Sequence, residues 1–212
     1  MAAPTLRLRH FIDSHKLLTG PFVLLLMAVY GAWGLPAAWV YLAMHGTYGL
    51  LWIMKGRMFG DKNWENPCGW GYGLGRIYPL LTLYWVAPWV ITRNHVAPPP
   101  WWIAACVSLW GFGVFFHFAG DMQKWAYLKL RPGKLINDGL WARCRNPNYF
   151  GELLIYLGFN LLTMHWLPLA CVSIVVIGLW IPNMRRKDKS LSRYPEFAAY
   201  KAQSTLFIPY LW

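Results

Sequence analysis

Charged side chains are spread unevenly along the chain, and the gaps between them predict its elements. No Asp, Glu, Lys or Arg occurs in the 38 residues between Lys16 and Lys55. A helix that crosses a bilayer needs roughly 20 apolar residues, so this run predicts two spans. The break falls at Gly34-Leu35-Pro36, because proline is easiest to place where a helix starts. A third span fits Ile77 to Thr92, and a fourth runs from about Trp101 to Phe118 behind the triple proline Pro98-Pro99-Pro100. Leu153 to Met184 gives another 32 uncharged residues. That is too long for one helix, and a turn around His165-Trp166-Leu167-Pro168 folds it into a tight hairpin of two spans. The expected fold class is all-α, a polytopic membrane protein of about six transmembrane helices.

Lys and Arg test that count. They fall into blocks at 7–16, 55–76, 124–145 and 185–201, and six spans bring 19 of the 20 to one side, leaving Arg93 alone opposite. The positive-inside rule makes that side, and both termini, cytoplasmic, in a bacterial inner membrane or the endoplasmic reticulum. Five spans would put the last basic block outside. The eight acidic residues, among them Asp13, Asp61, Glu65, Asp121, Glu152 and Asp188, lie on or near the same side. Chemistry is therefore expected to open to the cytoplasm. The basic, apolar N-terminus resembles a signal sequence, but the second span follows at once, so an uncleaved first span is expected.

Composition agrees with burial in lipid. The 212 residues are 57% hydrophobic and 13% charged, with 15 Trp, against about 25% charged in a soluble domain. A disordered chain, a coiled coil, a disulfide scaffold and a conventional soluble enzyme are excluded or disfavoured. Cys68, Cys106, Cys144 and Cys171 form no CxxC pair and read as free thiols. The six histidines show no metal-ligand spacing, and neither a metal nor a nucleic-acid partner is expected. Gly69, Gly71, Gly73 and Gly75 alternate, unlike a GxGxxG fingerprint, and read as a flexible cytoplasmic loop. The chain reads as one integral-membrane domain, with four N-terminal spans over 1–119 and a cofactor-binding loop, helical hairpin and cytoplasmic tail over 120–212.

The longest polar stretch runs from Gly120 to Glu152. Asp121, Gln123 and Lys124 open it at the end of the fourth span, and turns follow at Arg131-Pro132-Gly133-Lys134 and Asn137-Asp138-Gly139. A dense cluster comes next, Arg143, Arg145, Asn146, Asn148, Tyr149 and Glu152. Pro147 suits the first turn of a helix, and a helix N-terminus beside arginines attracts anions. Glu152 precedes 32 uncharged residues. An acid at the membrane edge pairs with a base or faces water. The tail from Asn183 carries Arg185, Arg186, Asp188, Arg193, Tyr194, Tyr200 and Lys201. A hairpin would return it beside the 120–150 segment, with Phe207-Ile208-Pro209-Tyr210 as an apolar cap.

These residues resemble a known family. Gly139-Leu140-Trp141 followed by Arg145-Asn146-Pro147-Asn148-Tyr149-Phe150-Gly151-Glu152 is similar to the "GLW…R-HPNY-GE" signature of membrane reductases related to steroid 5-alpha-reductase and the sterol C14 and C24(28) reductases. Asp121 through Trp125 resembles the family's "DLQK(Y/W)" element, and Arg185 through Pro209 its "R…YP…Y…IP" ending. Isoprenylcysteine carboxyl methyltransferases and phospholipid methyltransferases of the same superfamily share "RHPxYxG". Asn148 and Glu152 match the reductase branch, and Arg185-Arg186-Lys187-Asp188 stands where methyltransferases carry a Glu-Glu pair. Asn146 departs from the commoner His.

The resemblance implies an NADPH-dependent reductase of a carbon–carbon double bond in a steroid, sterol or isoprenoid enone drawn from the bilayer. It implies Asn148 and Glu152 around the nicotinamide amide, with Arg143, Arg145, Arg185, Arg186 and Lys201 on the phosphates. Lys124, Asn146, Asp188, Tyr194 and Tyr200 are further cofactor candidates, and Tyr149 and Glu152 are catalytic candidates. An acid and a tyrosine of the N-terminal spans polarise the enone in the steroid reductases. Neither has a clear counterpart here, and His45, Tyr48 or Tyr84 could serve. Two alternatives stay open, an S-adenosylmethionine-dependent methyltransferase and a non-enzymatic lipid-binding scaffold.

Overall fold

A computed structural model describes residues 6–211; Trp212, the end of the expected tail, lies outside the described residues. It divides into two compact units, Met1–Val107 with Gly158–Val172, and Ser108–Leu157 with Ser173–Trp212. The described residues are mostly helical, with isolated bridges in place of strands. Helix α1 covers Leu8–Val29 and α2 Pro36–Phe59, separated by a short turn at Ala32–Gly34. A near-continuous helical run, α3, occupies 70–93. Then come α4 (Pro100–Leu130), α5 (Pro147–Leu161), α6 (Trp166–Leu191) and α7 (Phe197–Gln203).

Proline marks the helix starts as expected, at Pro36, Pro100 and Pro147. Of the described helices, α1, α4 and α6 are each long and apolar enough to cross a membrane. The other expected spans coincide with α2, α3 and α5. Helix α5 has 15 residues, or about 22 Å at the usual rise, short of a roughly 30 Å hydrocarbon core. Two π turns interrupt the ladders, Gly73–Ile77 in α3 and Val176–Trp180 in α6. Each lies just before a proline, Pro79 or Pro182. Proline has no N–H for the carbonyl four residues back, and a slip to wider hydrogen bonding accommodates the loss.

The Gly69–Gly75 series is a correction to the sequence reading. It is helical from Trp70 onward, where a flexible loop was expected. A Cβ on Gly73 would run into the Phe11 ring, so glycine here permits a close helix approach.

In the first unit, α1 buries Phe11, Ile12, His15, Lys16, Thr19, Val23, Leu26 and Met27, a stripe that recurs every turn. Helix α2 buries Ala38, Tyr41, His45, Tyr48, Trp52 and Lys55, alternating three and four apart, the spacing of a helix–helix seam. A Cβ on Gly49 would lie 2.9 Å from Lys16 O. In the second unit, a Cβ on Gly113 would lie 2.6 Å from Ile155 N and 2.7 Å from Gly151 O. Small residues permit such backbone contact between apolar helices. All four cysteines are free and buried.

Candidate functional site

The second unit gathers most of the expected polar residues around the start of α5. Asn148 lies in its first turn, and Asn148 Nδ2 donates to Asp121 Oδ1 of α4 at 2.9 Å. His117 Nδ1 lies 3.0 Å from Asn148 O. Since a carbonyl only accepts, Nδ1 carries the hydrogen. The side chain and the carbonyl of Asn148 are thus both fixed from α4. Its Oδ1 is buried and accepts no hydrogen bond among the described residues. Glu152 follows one turn later on the same face and is half-buried.

The loop before α5 is held by α4. Gln123 Nε2 donates to Asp138 O at 3.0 Å and to its Oδ1 at 3.1 Å, and Gln123 Oε1 accepts from Leu140 N at 3.1 Å. Gly139, at φ +54°, makes the turn between these contacts. Trp141 is fully buried and donates from its indole to Gly120 O at 3.2 Å. The "DMQK" and "GLW" elements are therefore two sides of one clamp.

Arg145 is a strut. It is buried and faces Asp188 through Nε at 3.1 Å to both carboxylate oxygens and through Nη2 at 3.0 Å. Its Nη1 donates to Ser204 O and, at 3.1 Å, to Ser204 Oγ. Asn146 Nδ2 donates to Leu206 O at 2.8 Å, while Lys187 Nζ donates to Asn146 Oδ1 and Arg145 O, each at 3.0 Å. Lys187 Nζ also lies 4.3 Å from the Trp141 ring centroid, a cation–π contact. Tyr200 is buried and donates to Trp141 O. Burial raises its hydroxyl above the ordinary 10.0. Arg145, Asn146, Asp188 and Tyr200 thus tie the tail to the loop through internal bonds.

The remaining candidates are distributed as follows. Arg143, Arg185, Arg186 and Lys201 are exposed, and Arg143 Nη1 donates to Gln203 O at 3.4 Å. Lys124 is half-buried. Tyr194 packs on the small core of Leu135, Phe197 and Tyr200. Tyr149 faces Trp180 with ring centroids 5.4 Å apart, and Tyr156, a residue the sequence reading omitted, faces the same indole at 6.0 Å.

His45 and Tyr84 belong to the first unit, and both are buried. Tyr41 joins them: its hydroxyl lies 2.7 Å from His45 Nδ1 and donates to Tyr84 O at 3.0 Å. His45 stacks on Phe159 at 4.4 Å and lies 6.4 Å from Tyr48. Sequence reasoning missed Tyr41, although its position one turn before His45 signals the pair. It also missed a cavity of about 370 Å³ lined by Arg9, Asp13, Trp52, Lys55, Arg57 and Glu65 among others.

These features define an all-helical membrane protein with a clamped polar cluster at the mouth of α5. Its family follows from comparison: residues 78–204 match DUF1295, described as a protein of unknown function, and the chain belongs to that family. It is also similar to the Delta(14)-sterol reductase of Methylotuvimicrobium alcaliphilum, 27% identical over 146 residues that cover 60% of this chain and 34% of that protein. The chain spans about a third of the length of the curated relative it matches. Family and relative support the sterol and steroid reductase-like resemblance carried by the motifs.

Proposed function

We propose that the protein is an NADPH-dependent reductase of a carbon–carbon double bond in a membrane lipid of steroid, sterol or isoprenoid type. The observation that carries this reading is Asn148. Its amide N–H₂ is committed to Asp121, and its Oδ1 is buried without a donor among the described residues. A buried acceptor in that state calls for a donor from a ligand, and a carboxamide N–H₂ supplies one. Exposed Arg143, Arg185, Arg186 and Lys201 of the same unit suit phosphates, which guanidinium groups grip in bidentate fashion.

The bound cofactor would supply hydride. The chain's own work is orientation: Asp121 fixes the Asn148 amide, Gln123 fixes the preceding loop, and Arg145 with Asp188 fixes the tail. A hydroxyl or imidazole among Tyr41, His45 and Tyr84 is suited to hydrogen-bond a substrate carbonyl and stabilise its developing negative charge. Basic blocks on the cytoplasmic side would let the cofactor enter from there, with the lipid arriving from the bilayer.

Thermal stability of the detergent-purified chain with NADPH, and separately with S-adenosylmethionine, tests this. A ligand at 100 times its Kd stabilises by about 2.7 kcal/mol. Stabilisation by NADPH alone, weakened about tenfold in affinity by Asn148→Ala, is expected. Stabilisation by S-adenosylmethionine alone would overturn the reductase reading in favour of methyl transfer. No response to either would favour a lipid-binding scaffold.

A further inference from the structure

The first unit holds a second cavity, of about 430 Å³, that the reductase reading leaves unused. One wall is the start of α4, Trp101 and Trp102, and the other is the α5–α6 turn with Asn160, Met164, Trp166 and Leu169. Its size suits a small ligand or part of a lipid. No Asp, Glu, Lys or Arg occurs within 94–120 or 153–184, so the cavity offers no ionised partner. What enters must be neutral where it makes contact.

Its polar side chains are Asn160 and His165. Asn160 is 3% exposed, and its Nδ2 donates to no group among the described residues. Leaving an amide unpaired in apolar surroundings is costly. His165, which also lines the cavity, accepts the Leu167 N–H at Nδ1 at 3.1 Å. In the neutral ring the hydrogen then sits on Nε2, a second donor. Thr163 fixes the backbone that carries both residues: its Oγ1 donates to Asn160 O at 2.6 Å and accepts from His165 N at 3.2 Å. The Trp102 indole is already committed to Leu161 O at 2.7 Å, so that ring acts as a wall.

Depth identifies the occupant. Tryptophans concentrate where hydrocarbon meets headgroups, and Trp101, Trp102 and Trp166 surround these donors. The neutral acceptors abundant at that depth are the ester carbonyls of diacyl glycerolipids. We propose that this cavity binds a diacyl glycerolipid of the leaflet opposite the basic blocks. An ester carbonyl accepts from Asn160 Nδ2, and an acyl chain lies against the tryptophans and Leu169. This site is separate from the proposed reductase chemistry, and its lipid is a bound companion of the fold and not the substrate.

The test compares retention, by native mass spectrometry of the full chain, of an ester-linked phosphatidylcholine and its ether-linked analogue with the same chains. The analogue lacks only the carbonyls. One neutral hydrogen bond corresponds to roughly 3- to 10-fold in affinity, so the wild type is expected to prefer the ester by that factor and Asn160→Leu to prefer neither. Equal retention by the wild type, or an ester preference that survives Asn160→Leu, overturns the proposal. Should Asn160→Leu fail to fold, Leu169→Trp fills the cavity and is expected to abolish retention of both lipids. Retention unchanged by that substitution overturns the site. A monohydroxy polycyclic lipid retained in preference to the ester overturns the occupant.

Discussion

The two units bury polar groups by different means. In the first, the buried groups are mostly neutral and bond to other neutral groups or pack on aromatic rings. Tyr41 meets His45, Thr19 accepts the Trp85 indole at 2.9 Å, and Trp85 stacks on His15 at 4.5 Å. Even Lys16 packs its ammonium 4.2 Å from the Tyr48 ring centroid. In the second, Arg145, Asp188 and Lys187 bond across 41 or more residues of sequence to carboxylates, amides and carbonyls. Neutral pairs suit helices surrounded by hydrocarbon, where an ion costs several kcal/mol. Charged struts suit chain ends and loops, where a carboxylate can be supplied and water bears part of the cost. The contrast predicts which substitutions hurt and by how much.

The largest loss is expected at Asp188→Asn. It leaves Arg145, whose side chain is 6% exposed, without its counter-charge, and removing one partner of a buried pair costs roughly 3–5 kcal/mol. Thermal unfolding in detergent would show it, and Arg145→Met with Asp188→Leu should lose less than either single change, because both charges then leave together. A double variant as unstable as the sum would mean that the pair is not the unit of stability. Next comes Gly151→Ala: the new methyl would run into His117 N and lie 2.7 Å from Gly113 O. Backbone cannot step aside as a side chain does, so about 1–3 kcal/mol is expected. The same experiment checks it, and an unchanged midpoint would refute the close α4–α5 approach.

Tyr41→Phe ranks third. It removes the 2.7 and 3.0 Å hydrogen bonds to His45 and Tyr84 while keeping the ring. Net hydrogen-bond contributions near 1 kcal/mol, plus the cost of stranding a buried acceptor, give about 1–2 kcal/mol. If Tyr41 also serves the proposed substrate carbonyl, turnover should fall by far more than stability explains. Comparing unfolding with lipid reduction separates the two roles.

What the sequence revealed follows the same division. Helix starts at Pro36, Pro100 and Pro147 were legible because proline restricts the backbone locally. The polar cluster was legible because charge is rare in this chain. The role of Arg145 was not: a buried arginine in a basic loop reads alike whether its partner is a phosphate or Asp188, 43 residues away. The Asn148–Asp121 contact was not legible: resemblance marked Asn148 as a cofactor candidate, but nothing local in either segment specifies Asp121 as its partner. The π turns have a local cause, the lost proline donor, but it changes neither charge nor hydropathy, and the helical Gly73 segment was hidden because it answers to a distant partner, the Phe11 ring. The Tyr41–His45 pair sat in plain helical spacing, but neutral hydrogen bonds leave no mark on charge or hydropathy.

The smallest effect is expected where an ion pair stays in water, and it marks the limit of the contrast. Glu65 accepts from Arg7 Nη1 and, at 2.8 Å, from Arg9 Nη1, with all three side chains about two-fifths exposed. The Arg7 hydrogen bond, then the Arg9 charge, hold its carboxyl below the ordinary 4.5 against some desolvation. A carboxyl lowered on folding adds stability that is complete above its unfolded pKa and is lost as pH falls through its folded one. Glu65→Gln should therefore matter slightly at neutral pH and not at all once pH drops well below 4.5. Salt should erase even the neutral-pH difference, because the screening length shrinks from about 30 Å at 0.01 M to about 3 Å at 1 M. Unfolding midpoints of wild type and variant across both axes decide the matter. A loss as large as that of Asp188→Asn, indifferent to salt, would show that the Glu65 cluster is as buried a strut as Arg145 and that the two units do not differ in the way argued.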